Sequence, residues 1–111
     1  MPDLQQLLKG NVRMLILSVL AEGPSHGYEI AKQVHRKSEG ALRFGEGTLY
    51  PTLHQMEKEG LLQGRWEEQA AGPARKYYRL TAPGRRALQC QARQWREFAS
   101  AINTVLEGSG A

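Results

Sequence analysis

The stretch Gly45-Glu46-Gly47-Thr48-Leu49-Tyr50-Pro51 opens the segment whose pattern decides the fold. Proline is tolerated in the first turn or so of a helix, so Pro51 is compatible with a helix over about Glu46 to Glu59. Residues spaced about 100° apart on such a helix form one apolar stripe. The stripe consists of Leu49, Leu53 and Met56. We predict that it faces a core and that Gly60 ends the helix.

The opposite face of this helix is polar and almost free of acid. It consists of Gly47, Thr48, Pro51, His54, Gln55 and Lys58. Such a face can donate and accept hydrogen bonds, as a helix lying in the major groove of DNA requires. Tyr50 stands at its margin, where a hydroxyl reaches a phosphate. An ordinary solvated face has the same composition, so the choice between a DNA-binding face and a plain surface depends on the neighbouring elements.

Two helices are predicted before this segment. The first is amphipathic from about Leu4 to Leu20 and is bent or divided at Gly10. Gly23-Pro24-Ser25 ends it, with Ser25 as the cap of a second helix over about His26 to Lys37. The buried side of the second helix is predicted to be Ile30, Ala31 and Val34.

A hairpin and a long helix are predicted after it. Leu61 to Trp66 and Lys76 to Leu80 are strand-like, with a turn at Gln69 to Ala74 between them. Of the adjacent Tyr77 and Tyr78, at least one should be core, because neighbouring strand residues face opposite ways. Thr81 then caps a helix, with Pro83 in its first turn, that continues to about Leu106.

These elements predict a mainly α fold: a winged helix-turn-helix of three helices plus a β-hairpin wing, followed by a long C-terminal dimerisation helix. We expect a winged-helix DNA-binding domain over 1–80, the dimerisation helix over 81–107 and a flexible tail over 108–111. A winged helix of this kind places its third helix in a groove and its wing tip near the adjacent groove.

Positive charge is concentrated in one part of the chain. The net charge is +4, and the segment from Arg75 to Arg96 holds seven basic residues and no acid, while the remainder holds eight basic and eleven acidic residues. A local basic stripe is typical of phosphate binding, although a solvated basic face has the same appearance.

Several classes of protein are excluded or disfavoured. We predict no membrane span, no export signal and a cytoplasmic location. The single Cys90 rules out an internal disulfide and cannot hold a structural zinc alone. The three histidines lie on different elements without a carboxylate pair or phosphate loop, so we expect no enzyme, no metal and no cofactor.

The last helix carries apolar residues at heptad spacing. They are Leu88, Ala92, Trp95, Ala99, Ile102 and Leu106, with Phe98 and Val105 widening the stripe. A small domain cannot cover the whole of such a helix, so we expect it to pair with its own copy or with the first helix of a partner chain.

Taken in order, the motifs resemble the PadR family of regulators, in its short subfamily with one C-terminal helix. The resemblance covers about residues 8 to 106 and is carried by the following segments: Leu15-Ile16-Leu17, His26-Gly27-Tyr28-Glu29-Ile30, Gly47-Thr48-Leu49-Tyr50-Pro51-Thr52-Leu53, Glu57-Lys58-Glu59-Gly60-Leu61, Gly72-Pro73-Ala74-Arg75-Lys76-Tyr77-Tyr78, and Leu80-Thr81 with Gly84. Their order and spacing are specific, although each segment alone is weak.

The resemblance implies a homodimeric transcription regulator, usually a repressor, acting on double-stranded DNA. It places Tyr28 and Lys32 near backbone phosphates. It directs Thr48, Tyr50, Pro51 and His54 to the DNA and assigns Arg75 and Lys76 to the wing contacts. Twofold symmetry then predicts an inverted-repeat operator whose half-sites are roughly 34–36 Å apart.

Trp95 suggests a ligand site. It lies between the small Ala92 and Ala99, which leave room beside the indole ring. Across a twofold axis, paired tryptophans would form a slot for a planar aromatic ligand that relieves repression. This arrangement is similar to that of several short PadR-like regulators; plain packing of Trp95 is the alternative.

Two other functions remain open from the residues. Cys90 lies one helical turn from Arg86 and Arg93, which would favour its thiolate in a redox-responsive regulator. The long helix would also suit a protein-interaction module that binds no DNA.

Overall fold

The computed structural model describes residues 7–108 and confirms the predicted mainly α winged-helix fold. A short 3-10 turn at Lys9–Asn11 precedes four α-helices and three strands. In chain order, these are α1 (Val12–Leu20), β1 (Ser25–His26), α2 (Gly27–Lys37), α3 (Glu46–Lys58), β2 (Leu62–Glu67), β3 (Arg75–Leu80) and α4 (Ala82–Leu106). Leu4 of the predicted first helix and Ser109 to Ala111 of the predicted tail lie outside the described residues.

The first helix is divided at Gly10, as predicted. The 3-10 turn includes Gly10, and Asn11 leaves helical geometry at φ −123° and ψ 4°. The Asn11 Nδ2 donates to the carbonyl of Leu7 over 3.0 Å, which replaces part of the interrupted backbone ladder. Leu7 and Leu8 are helical, and the 3-10 turn separates them from the regular helix that begins at Val12.

The cap of α2 differs from the prediction. Ser25 is buried in β1, and the N-cap is His26, whose Nδ1 accepts a hydrogen bond from the amide of Glu29 at 3.4 Å. Strand β1 was not expected, because a pair of residues is too short to show a period. It pairs antiparallel with β3, Ser25 opposite Tyr78 and His26 opposite Tyr77, so the start of α2 is tied to the wing.

The sheet has the order β1-β3-β2, with β3 in the centre. Along β3 the side chains alternate, so that Tyr78 and Leu80 are buried while Arg79 is exposed. The prediction for the tyrosine pair is confirmed, since Tyr78 is core and Tyr77 is half-buried. Lys76 shares the Tyr78 face, which points towards α3.

The core lies between the helices and the inner face of the sheet. The stripe of α3 is fully inside it, with Leu53 and Met56 at 0% exposure and Leu49 at 2%. From α2, Ile30 and Val34 are buried and Ala31 is half-buried. Gly60 ends α3 with φ +81°, a backbone conformation that suits glycine.

Helix α4 is anchored at its beginning. The Thr81 hydroxyl oxygen accepts from the amide of Gly84 at 3.0 Å, which confirms Thr81 as the cap. Gly84 is buried against the carbonyl of Leu61 so closely that a Cβ there would overlap this oxygen. Leu88 is half-buried against the core, whereas the second half of the helix leaves it.

Candidate nucleic-acid interface

Helix α3 presents its polar face outwards, as the periodicity predicts. Thr48, Pro51, His54, Gln55 and Lys58 are all exposed. The buried stripe on the opposite side sets the rotation of the helix about its axis, so this set of side chains cannot turn inwards without emptying the core. The outward face is therefore a fixed surface.

Tyr50 is held at the edge of this surface by α2. A Cβ on Gly27 would lie only 2.6 Å from Tyr50 Cε1, so the tyrosine ring rests directly on the glycine backbone. The side chain stays 37% exposed. The Tyr50 ring is therefore packed against α2 on one side while more than a third of the residue stays exposed.

A cleft of about 380 Å³ separates α3 from the start of α2 and the wing. Five of the eight predicted DNA-binding residues line it together: Tyr28, Tyr50, His54, Arg75 and Lys76. Lys32 lies nearby, with its Nζ 5.6 Å from the centre of the Tyr28 ring. Thr48 and Pro51 are exposed on α3 outside the lining of the cleft.

Arg75 and Lys76, the two basic residues predicted as wing contacts, are adjacent on β3, and both line the cleft. Arg75 is exposed, and its Nη1 lies 3.4 Å from His26 Nε2. Lys76 points towards α3, where its Nζ donates to Glu57 Oε1 at 2.7 Å. Sequence reasoning treated the two as equivalent wing contacts, but their surroundings differ.

His26 connects the cap, the wing and the cleft. Its ring meets Tyr77 edge-on at 5.2 Å and lies parallel to the Tyr28 ring, with the centres 6.5 Å apart. Burial and the nearby Arg75 guanidinium lower the pKa of His26, against a smaller opposing effect of Glu29. Protonation would also place a hydrogen on Nδ1 and remove the acceptor that caps α2.

Trp66 is the residue that sequence reasoning missed. It is 66% exposed on β2, opposite Lys76, and it lines the cleft. The strand was predicted from its aromatic and aliphatic residues, but alternation alone does not tell which face of a hairpin is covered. The signal that the sequence did offer is a tryptophan three residues before the predicted turn, although its exposure is visible only in the structure.

The second half of α4 carries an uncovered apolar stripe. Trp95 is 45% exposed, Ile102 42% and Leu106 76%, while Ala92 and Ala99, on either side of Trp95, are half-buried. The Trp95 and Phe98 rings lie 6.2 Å apart at 48°. Cys90 is exposed on the same helix.

Within residues 7–108, no helix is long and apolar enough to cross a membrane. Nor does this part of the chain bring together three histidine, cysteine or acidic side chains in a way that would hold a metal ion.

The helix-turn-helix of α2 and α3, the hairpin beside it and the shared cleft define a winged-helix regulator. The sequence matches the Transcriptional regulator PadR-like family over residues 16–90. The chain belongs to this family, and it is accordingly a transcriptional regulator rather than an enzyme.

Known proteins similar to the chain agree with this membership. Transcriptional regulator Rv3488 of Mycobacterium tuberculosis is 34% identical over 99 residues, which cover 89% of each chain. A transcriptional regulator structure from Clostridium thermocellum is 32% identical with a TM-score of 0.82, covering 90% of this chain and 97% of the other. A PadR family regulator structure from Clostridium difficile is 36% identical with a TM-score of 0.75, covering 86% and 98%.

The His26 environment predicts a pH dependence of stability. Because the folded-state pKa lies below the unfolded value of 6.5, the unfolded chain takes up the proton first as the pH falls. The contribution of neutral His26 is thus present above 6.5 and is lost below it. In urea unfolding at pH 7.5 and 5.0, His26→Asn, which retains a capping acceptor, should lose less stability on acidification than the wild type.

His54→Asn, on the exposed face of α3, controls for the loss of a surface imidazole and should follow the wild-type pH dependence. Equal losses of stability in the wild type and His26→Asn would contradict the prediction.

Proposed function

We propose that the chain binds operator DNA with α3 in the major groove and the wing at the adjacent groove. The observation that carries the proposal is the cleft in which Tyr50 and His54 of α3 face Arg75 and Trp66 of the wing. Hydroxyl, imidazole and guanidinium groups on one exposed surface suit contacts to bases and phosphates. Tyr28 and Lys32, on α2, then reach the backbone beside the same groove.

We further propose that the chain acts as a homodimeric repressor. Folding leaves the stripe of α4 exposed, and covering it with a second copy removes several large apolar side chains from water. In this arrangement residues 1–80 form the DNA-binding domain and residues 81–107 form the dimerisation helix. The two α3 helices would lie roughly 34–36 Å apart on an inverted repeat, and binding there would block transcription.

The proposed contacts differ in their expected effects. His54→Ala should lower operator affinity about tenfold and affinity for random DNA much less, because a lost base contact reduces discrimination. Arg75→Ala should weaken binding to both DNAs and reduce the salt slope by about one, because a phosphate contact is lost. Fluorescence anisotropy with DNA from the upstream region of the chain's own gene, at several salt concentrations, measures both.

Arg96 belongs to the same basic segment but lies on α4, outside the lining of the cleft. Arg96→Ala removes the same charge as Arg75→Ala from an exposed position and should change neither quantity appreciably. Wild-type affinity and salt slope in both test variants would overturn the proposed interface. Complete absence of DNA binding by the wild type would instead favour a protein-interaction module.

The dimer can be tested at the centre of the stripe. Ile102→Glu places a charge where the two helices meet and should give a monomer in sedimentation equilibrium at micromolar concentration. Operator affinity should fall at least about tenfold, since one half-site contributes only part of the binding energy. Thr104→Glu carries the same charge on the opposite side of α4 and should remain dimeric. A wild-type monomer at micromolar concentration would contradict the proposal.

A planar aromatic ligand bound at Trp95 would connect regulation to this dimer. The half-exposed Trp95 ring, its Phe98 neighbour and the small Ala92 and Ala99 support such a slot. Titration of a planar cationic dye should quench the fluorescence of Trp66→Phe, in which Trp95 is the remaining tryptophan, and should leave Trp95→Phe unaffected. Quenching that does not differ between the two variants would remove the idea and leave packing as the role of Trp95.

A further inference from the structure

Lys76 is more enclosed than expected for a lysine whose side chain is free to contact a phosphate. Its side chain is only 22% exposed, and its Nζ donates to Glu57 Oε1 at 2.7 Å. The Nζ also lies 5.3 Å from the centre of the Tyr78 ring and 6.0 Å from that of Trp66. The hydrogen bond to Glu57 is the largest cause of a raised pKa of Lys76, so the ammonium stays charged.

The Glu57 carboxylate contacts both strands of the wing. While Oε1 accepts from Lys76 on β3, Oε2 accepts from the amide of Gly64 on β2 at 3.3 Å. Glu57 belongs to α3, so a single side chain of this helix contacts both strands of the hairpin. A carboxylate that accepts two such bonds is held in one orientation.

Gly64 is part of this arrangement because it has no side chain. A Cβ at that position would overlap Lys76 Cε and lie 2.8 Å from Glu57 Oε2. The close approach of the strand to the ion pair therefore depends on glycine. If Lys76 instead extended to a phosphate, Glu57 would be left without its cation beside the DNA, at an electrostatic cost.

We propose that Lys76 is a positioning residue, which with Glu57 and the Gly64 amide clamps the wing to α3, while Arg75 makes the phosphate contact of the wing. The clamp sets the angle between α3 and the hairpin, and so whether both reach their grooves on one DNA. This inference rests on the proposed function for its effect on DNA, but not for the existence of the clamp.

The two roles predict opposite effects of neutralising Glu57. If Lys76 binds a phosphate, Glu57→Gln frees the ammonium and removes a negative charge near DNA, so affinity should hold or rise. If Lys76 positions the wing, the same change loosens the hairpin and affinity should fall. Neutralising Lys76 separates the roles again, because the loss of a phosphate contact lowers the salt slope by about 0.9.

The experiment compares operator binding of Glu57→Gln, Lys76→Gln and the double variant across a salt series. We expect each single variant to bind about three- to tenfold more weakly, the double variant to bind no more weakly than either, and the salt slope to remain unchanged. Glu59→Gln is the matched control, because it removes an acid from the same end of α3 that pairs with Arg13 of α1 rather than with the wing. It should bind like the wild type.

Trp66 reports on the clamp without DNA. In a Trp95→Phe background it is the remaining tryptophan, and both Glu57→Gln and Lys76→Gln should shift its emission in the same way, whereas Glu59→Gln should not. A Glu57→Gln variant that binds as tightly as the wild type, together with a reduced salt slope in Lys76→Gln, would overturn the proposal. If the wild type binds no DNA, the proposed function fails, and unchanged Trp66 emission would separately overturn the clamp.

Discussion

The burial of Leu49, Leu53 and Met56 is the interaction on which the rest of the structure depends. These side chains have almost no exposed surface, and together they fix α3 against α1 and the sheet. A rotation of the helix by one residue would replace buried methyl groups with polar groups. The loss in the free energy of unfolding would be on the order of several kcal/mol, a large fraction of the stability of a small domain. The groups that face outwards are therefore determined by packing on the other side.

The helices were predictable from the sequence because periodicity and end signals agree there. The stripe of α3, the stop at Gly60 and the cap at Thr81 each depend on residues close together in the chain. Strand β1 was not predictable in this way, since its pairing partner lies about fifty residues downstream in β3. The same pairing explains why Ser25 is buried and His26 took over the cap.

In the candidate site, too, features set by one helix could be predicted, whereas features that depend on several elements could not. Which residues of α3 point outwards follows from one helix, so Thr48, Pro51 and His54 were placed correctly on the exposed face. The surroundings of Lys76 depend on α3, β2 and β3 together, and no local sequence pattern shows that Glu57 lies within hydrogen-bonding distance of it. Trp66 was overlooked for the related reason that exposure of a hairpin face depends on what packs against it.

The tight contact between Gly84 and the Leu61 carbonyl joins α4 rigidly to the winged-helix part of the molecule. Helix α4 has 25 residues, a rod of about 37 Å, and it leaves the core without an intervening loop. A tilt of about 5° at its base would move its far end about 3 Å, which is close to the rise of one base pair. In a dimer joined through α4, the direction of this helix would thus determine the distance between the two half-sites that the dimer can bind. An operator longer by one base pair would require α4 to tilt or bend.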